Sequence, residues 1–266
     1  MRTCMTAGTN YSVRDEIRDY WSMRAESFDL SPGHEIFSET ERSAWHRLIK
    51  KHLGQGEGRR ALDLACGTGV VSHLMHDLGY AVTGLDWSEA MLDKARAKSN
   101  TRGSSIRFLM RDAEATGEDE ASYDVIVTRH LVWTLVDPAA AFAHWFNLLK
   151  PGGRVLIVDG DFVTQTWFRK LRRWLDAAVN RFRPAKPDPR GDFRTQYQSI
   201  MSQIYFRQGA RAPEVVRLLQ GAGFEPVIVD TSLGEIHRAQ GRNMPIAQFL
   251  DRATQHRYAI CAVRPG

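Results

Sequence analysis

Residues 61–69 read Ala-Leu-Asp-Leu-Ala-Cys-Gly-Thr-Gly, a short apolar run that passes through Asp63 into a glycine turn. A helical pattern of apolar residues follows directly after Gly69. A strand that ends in such a turn places a nucleoside-bearing cofactor at the carboxyl edge of a parallel sheet. Gly67 and Gly69 lack a Cβ atom, so the backbone can approach a ligand closely there. The stretch therefore predicts a cofactor loop in an α/β fold.

Two cofactor classes, dinucleotides and S-adenosylmethionine, are bound by turns of this kind. The dinucleotide fingerprint requires a third glycine three residues after the second, and Ser72 occupies that position. A second strand-like run at 80–86 ends in Asp86, whose carboxylate can accept hydrogen bonds from both hydroxyl groups of a ribose. Dinucleotide sites use an acid in the same way. Asp86 therefore fits both classes, whereas the missing glycine argues against a dinucleotide.

Three further segments follow the cofactor loop in a regular order. Arg-Asp-Ala-Glu at 111–114 comes after the strand-like run 106–110, a fourth strand-like run covers 123–130, and Pro-Gly-Gly introduces a fifth within 148–159. With the glycine loop and Asp86, this series resembles the class I S-adenosylmethionine-dependent methyltransferases. The resemblance is close over residues 45–160 and covers the two ends only in outline.

The resemblance implies S-adenosylmethionine as the cofactor. Residues 20–29, Tyr-Trp-Ser-Met-Arg-Ala-Glu-Ser-Phe-Asp, resemble a segment that folds over the cofactor as a lid in small-molecule methyltransferases; an ordinary amphipathic helix is the alternative. Asp86 would hold the ribose and Asp112 the adenine amino group, while Met91 would cover the adenine or belong to the core. The complete set of expected cofactor-binding residues is Tyr20, Trp21, Arg24, Asp63, Ala65, Gly67, Gly69, Asp86, Trp87, Met91, Asp112, Ala113 and Thr128.

The alternation of strand and helix patterns predicts an α/β, doubly wound, Rossmann-like sheet. The resemblance implies seven strands, mostly parallel with an antiparallel last strand, and a helical lid and insertion. We expect an N-terminal helical lid segment at 1–55 and the cofactor-binding core at 56–160. A helical substrate-side insertion would cover 161–210. The last helix and strand pair, at 211–266, would complete the core.

Methyl transfer from a sulfonium is an in-line displacement, which requires the nucleophile within about 3–3.5 Å of the methyl carbon. An amine or thiolate nucleophile needs no base, whereas an oxygen nucleophile more often does. His130 is the candidate base because it ends the fourth strand, and its alternative role is to shape the pocket. Arg129 would hold a substrate carboxylate or tie down a loop, and Asp161 would bind an amine substrate. We predict no metal, although Thr128 stands where one further oxygen ligand would be needed.

The bulk composition is that of an ordinary globular chain. The chain has 266 residues, a net charge of +5, 43% hydrophobic residues and three scattered cysteines. No apolar run reaches the length of a membrane span, and the first residues contain no secretory apolar region. Too few cysteines are present for a disulfide framework. We therefore expect a cytoplasmic protein.

A basic stretch at 169–183 leaves several interpretations open: a solvated helix face, a site for an anionic acceptor, or a nucleic-acid or membrane surface. The Asp/Asn-Pro-Pro-aromatic segment of nucleic-acid amino-methyltransferases is absent after the fourth strand, and no Pro-Cys pair is present. We therefore predict an S-adenosylmethionine-dependent methyltransferase that acts on a small anionic or amine-bearing acceptor through a nitrogen, sulfur or oxygen nucleophile. The alternatives are an NAD(P)-dependent oxidoreductase and a nucleic-acid-binding or RNA methyltransferase-like protein. The sequence does not indicate the oligomeric state.

Overall fold

The computed structural model describes residues 12–164, 167, 174 and 191–266. The strands are β1 (Arg60–Leu64), β2 (Ala81–Asp86), β3 (Arg107–Met110), β4 (Tyr123–Arg129), β5 (Leu149–Gly160), β6 (Val227–Asp230) and β7 (Arg257–Val263). They form one sheet in the order β3-β2-β1-β4-β5-β7-β6. β1 to β5 pair in parallel, and β7 is antiparallel to both of its neighbours. The predicted mostly parallel sheet with an antiparallel last strand is confirmed.

Helices cover both faces and the carboxyl edge of the sheet. They are α1 (Val13–Phe28), α2 (Glu39–Leu53), α3 (Val70–Asp77), α4 (Glu89–Arg102), α5 (Pro138–Leu148), α6 (Gly191–Gln203), α7 (Ala212–Gly221), α8 (Gly234–Gly241) and α9 (Ile246–Ala253). Side-chain caps fix several of their starts. Asp137, for example, accepts the N–H of Ala140 at 3.0 Å and stands before Pro138, which suits the first helical position. Within the described ranges, no helix is long and apolar enough to cross a membrane.

The second helix begins at Glu39, where Ser38 caps it by accepting the N–H of Glu41. β6 and β7 are antiparallel neighbours, and α8 and α9 connect them along the chain. The basic stretch at 169–183 lies, apart from Trp174, outside the described residues.

Two buried apolar layers hold the helices on the sheet. One contains Phe142, Trp145 and Tyr258, and the other contains Leu48 and Leu74. α1 contributes Ile17 and Tyr20 to the first layer and also packs against α4 and α6. Because β1 to β5 are parallel, their carboxyl ends meet at one edge of the sheet, and α1 lies over the part of this edge that carries the glycine loop.

Candidate active site

The two glycines of the 65–69 loop have different physical roles. Gly67 has a φ of 55° and Gly69 a φ of 81°, values that glycine tolerates best. A Cβ atom on Gly69 would lie 3.1 Å from Phe108 Cζ and 3.2 Å from Ala95 Cβ, so close packing excludes a side chain there. A Cβ atom on Gly67 would have its nearest neighbour, Phe28 Cε1, at 3.7 Å. Gly67 therefore leaves open space beside the backbone, whereas Gly69 packs closely against Phe108 and Ala95.

Two buried acids flank this loop. Asp63 accepts a hydrogen bond from Ser72 Oγ at 2.6 Å, and burial raises its pKa to about 7. Asp86 accepts the N–H of Gly67 at 2.9 Å through one oxygen and the N–H of Ser88 at 2.9 Å through the other. Burial raises its pKa to about 6. Both side chains line the cleft in front of the loop, which therefore favours a cation or hydroxyl donors.

This cleft brings together most of the predicted site residues. Those that line it are Trp21, Asp63, Ala65, Gly67, Asp86, Trp87, Met91, Asp112, Ala113, Arg129 and His130. Sequence reasoning did not assign several other lining residues, among them Phe28, His34, Glu114, Leu131 and Thr134. Within the described residues, no group of three or more His, Cys, Asp or Glu side chains is arranged to hold a metal ion.

The remaining predicted residues do not line the cleft. Tyr20 is buried and accepts a hydrogen bond from Arg24 Nη1 at 2.7 Å, and the Arg24 guanidinium lies 5.6 Å from the ring centre of Trp21. Thr128 donates to the carbonyl of Leu64 at 2.9 Å, joining β4 to β1. These three side chains support the walls of the cleft, as Gly69 supports its loop.

Asp161 lies in the turn after β5, away from the cleft. One of its oxygens accepts the N–H groups of Val163 at 3.1 Å and Thr164 at 2.8 Å. The other lies 3.4 Å from Arg211 Nε. These contacts give Asp161 a turn-forming role in this structure.

Asp112 meets an arginine of α1. Arg14 Nη1 lies 2.6 Å from Asp112 Oδ2, and Arg14 Nη2 lies 3.0 Å from Glu114 Oε2. Glu114 also accepts the N–H groups of Val136 and Asp137. α1 is therefore joined to the segment that follows β3, at the end of the cleft where Asp112 and Ala113 lie.

The loop of residues 28–35 joins α1 to α2 and contacts the glycine loop. The His34 ring stacks on Phe28 with ring centres 4.2 Å apart. Thr68 Oγ donates to Asp29 at 2.6 Å, and Lys98 Nζ lies 2.8 Å from the same carboxylate. This network holds the 28–35 loop over one wall of the cleft.

His130 occupies the end of β4 with a left-handed backbone, at φ 62°. Its N–H donates to the carbonyl of Val158 at 3.0 Å, and its own carbonyl accepts from Trp133 Nε1 at 3.0 Å. Burial, followed by repulsion from Arg129, lowers the pKa of His130 well below its ordinary value. The lowered pKa favours the neutral imidazole.

Arg129 points beside this histidine and is also buried. Its Nη2 donates to the carbonyl of His34 at 2.7 Å, and its guanidinium lies 5.5 Å from the ring centre of Trp45. Its Nη1 is buried with no hydrogen-bond partner among the described residues. Arg129 thus holds the 28–35 loop through Nη2, while its Nη1 is left without a partner among the described residues.

Comparison with known proteins adds to this geometry. A family profile described as "Methyltransferase domain" matches residues 62–157. A ubiquinone biosynthesis O-methyltransferase of Burkholderia vietnamiensis is 33% identical over 173 residues, which cover 65% of this chain and 68% of that protein. A demethylmenaquinone methyltransferase of Renibacterium salmoninarum is 29% identical over 172 residues, covering 63% and 70%.

Among solved structures, phosphoethanolamine N-methyltransferase 2 of Haemonchus contortus, in complex with S-adenosylhomocysteine, superposes with a TM-score of 0.67 at 17% identity. The match covers 96% of this chain and 60% of that one, so the chain spans about three fifths of that structure. At this identity the superposition establishes the fold.

Proposed function

The chain belongs to the class I S-adenosylmethionine-dependent methyltransferases, and we propose that it methylates a small molecule at a hydroxyl or amine held beside His130. The acids of the glycine loop and His130 line one continuous cleft, and this observation carries the proposal. Among the relatives, the ubiquinone biosynthesis enzyme is named as an O-methyltransferase, which agrees with a nucleophile that loses a proton.

The cleft fits S-adenosylmethionine by shape and by charge. We assign the ribose hydroxyls to Asp86, the adenine amino group to Asp112, and the adenine faces to Trp87 and Met91. Gly67 gives the cofactor close access to the backbone. Ala65, Ala113 and Trp21 contribute apolar walls, while Tyr20, Arg24, Gly69 and Thr128 hold those walls in place. When bound, S-adenosylmethionine supplies an electrophilic methyl group and leaves as a neutral thioether.

His130 would act on the acceptor rather than on the cofactor. Its neutral imidazole can accept the proton that a hydroxyl or ammonium group must lose. The hydrogen bonds at its backbone N–H and carbonyl fix its left-handed conformation, so the ring stays at the end of β4. Positioning of this kind supplies much of the rate enhancement in a displacement reaction.

The proposed setting is a reducing cytoplasm with a small-molecule substrate rather than nucleic acid. Cys66 and Cys261 are both free and buried, which suits a reducing compartment. The cleft is partly covered by α1 and the 28–35 loop, which favours a small acceptor over a polymer.

Calorimetric titration with S-adenosylhomocysteine, with NADH run in parallel, tests the proposal. We expect binding of S-adenosylhomocysteine and none of NADH. Transfer of labelled methyl groups from S-adenosylmethionine to a small-molecule cell extract, but not to RNA, should follow. Binding of NADH alone, or methylation of RNA alone, would contradict the proposed function.

A further inference from the structure

A second, smaller cavity shares His130 with the cofactor cleft. It has a volume of about 20 Å³ and is lined by side chains from both ends of the chain, including Trp45, Asp159, Gln240, Arg252 and Arg257. A single water needs about 10–15 Å³, so the cavity has room for one or two water-sized groups. Its position next to His130 places it on the acceptor side of the active site.

The cavity contains hydrogen-bond donors that have no partner. Trp45 Nε1 and Arg252 Nε are both buried and make no hydrogen bond within the described part of the chain. Gln240 Oε1 is an unpartnered acceptor in the same wall, and the amide nitrogen of Gln240 donates to Glu41 at 2.8 Å. Unpaired buried donors are costly. A ligand group that accepts hydrogen bonds would satisfy Trp45 Nε1 and Arg252 Nε.

The cavity also carries two arginines that form no ion pair with a described residue. Arg252 donates to the carbonyl of Pro32 at 3.0 Å, and Arg257 donates to the neutral side chain of Gln255 at 2.8 Å. Burial lowers the pKa of Arg252 to about 10, and repulsion from Arg129 adds to this shift. Burial lowers the pKa of Arg257 to about 9, and repulsion from Arg252 and then Arg129 adds to it.

The acids around the cavity are engaged elsewhere. Asp159 uses its oxygens to accept the N–H groups of Val132 at 2.7 Å and Gly160 at 2.8 Å, and burial raises its pKa to about 7. Glu41 accepts from Gln240 and from the N–H of Phe37. Glu41 attracts Arg252, and Asp159 and Asp251 attract Arg257, but none of these acids forms an ion pair with either arginine.

We propose that this cavity binds a carboxylate of the methyl acceptor, held by Arg252, Arg257 and the indole N–H of Trp45. The inference rests on the proposed function, since it names the substrate class of the same active site. A carboxylate anchored here leaves the rest of the acceptor to pass His130 into the cofactor cleft. The acceptor is thus a small carboxylic acid whose hydroxyl or amine, rather than its carboxylate, receives the methyl group.

The size of the cavity selects among anions. A planar carboxylate presents two oxygens, which match the fork of an arginine. A tetrahedral phosphate presents more oxygens than a space of one or two waters accommodates. We therefore expect acetate to bind and inorganic phosphate to bind much more weakly.

Thermal unfolding of the intact protein in sodium acetate, against sodium chloride of equal ionic strength, tests the cavity directly. At ten times its dissociation constant, a ligand of the folded state raises the Tm of a chain of this size by about 3–6 °C. We expect such a rise in the wild type, little or none with inorganic phosphate, and loss of most of it in Arg252→Gln. If Arg252→Gln does not fold, Arg257→Gln in β7 provides the same test of the acetate-induced rise in Tm.

Arg238→Gln is the matched control, because Arg238 is exposed on α8 and donates only to the carbonyl of Gly234; it should keep the full acetate effect. No acetate effect in the wild type, or the same effect in all variants, would overturn the proposal, and an equal effect of phosphate would overturn its carboxylate selectivity.

Affinity for S-adenosylhomocysteine distinguishes a carboxylate of the acceptor from the methionine carboxylate of the cofactor. We expect Arg252→Gln to bind it within about twofold of the wild type, since the anion belongs to the acceptor. A loss of tenfold or more would assign the cavity to the methionine carboxylate of the cofactor and overturn the inference. A wild type that responds to acetate but does not bind S-adenosylhomocysteine would instead count against the proposed function.

Discussion

The cofactor cleft and the smaller cavity of Arg252 and Arg257, the arginine cavity, share His130. Their charged side chains have opposite signs. The cleft carries acids, Asp63 and Asp86, whose pKa burial raises. The cavity carries arginines whose pKa burial lowers. The acids come from consecutive β–α units early in the chain, whereas Arg252 and Arg257 come from its last helix and strand. A cleft that favours cations can thus be built from local turns, whereas the proposed carboxylate site depends on elements that are distant in sequence.

The largest effect is expected on the rate of methyl transfer when His130, which both regions share, is replaced. His130→Asn should lower the rate of methyl transfer by about 10²- to 10⁴-fold, the usual contribution of a general base, and leave affinity for S-adenosylhomocysteine within about twofold. Asparagine tolerates the left-handed backbone at this position, so the fold should persist. Labelled methyl transfer and calorimetry measure the two quantities. An unchanged rate would remove His130 from the reaction.

On the acidic side, Asp86→Asn should weaken binding of S-adenosylhomocysteine by about 1–3 kcal/mol, or about 5- to 150-fold, because an ionised acceptor of two hydroxyl groups is lost. Asp93→Asn on the exposed face of α4 is the control and should bind like the wild type. Calorimetry compares the three proteins. Unchanged affinity in a folded Asp86→Asn would contradict the ribose assignment.

Asp86 also predicts that affinity for S-adenosylhomocysteine depends on pH. Burial raises the pKa of Asp86 to about 6 in the free protein, and its ionised form accepts the ribose hydroxyls. Protons therefore compete with the cofactor, and affinity for S-adenosylhomocysteine should fall by up to about tenfold per pH unit below pH 6. Calorimetry from pH 5 to pH 8 measures the slope, and Asp86→Asn should flatten it. A slope that persists in Asp86→Asn would assign the proton to another group.

The smallest effect is expected at Thr128, which joins β4 to β1 and lines neither region. Thr128→Val removes the hydrogen bond to the carbonyl of Leu64 and should lower the free energy of unfolding by about 0.5–1.5 kcal/mol. Binding of S-adenosylhomocysteine should be unchanged. Thr101→Val, at an exposed position of α4, provides the control in the same denaturant titration. A loss of affinity without a loss of stability would place Thr128 in the cofactor site instead.

The acidic region could be predicted from the sequence because its residues stand beside the turns that position them. Gly67, Asp86 and Asp112 each follow a short apolar run, and a parallel sheet brings such positions to one edge. The roles of these residues remain proposals, but their shared location followed from local patterns. The order and direction of the strands were predictable for the same reason.

The basic region could not be predicted in this way. Arg252 lies in α9 and Arg257 at the start of β7, and neither belongs to a motif. Only the folded placement of α9 and β7 brings them to the cavity that His130 also lines. Asp161 shows the converse, since proximity in sequence to the end of β5 suggested a substrate contact, yet backbone N–H groups of the following turn engage its carboxylate.

The 28–35 loop contacts both regions at once. Asp29 accepts from Thr68 in the glycine loop, Pro32 accepts from Arg252, and His34 accepts from Arg129. A change in this loop that suits a new acceptor therefore also disturbs the cofactor contacts. Each substitution in this loop must therefore satisfy two ligands together. Arg257 donates to Gln255 rather than to this loop, so we expect acceptor preference to change there without loss of the cofactor contacts.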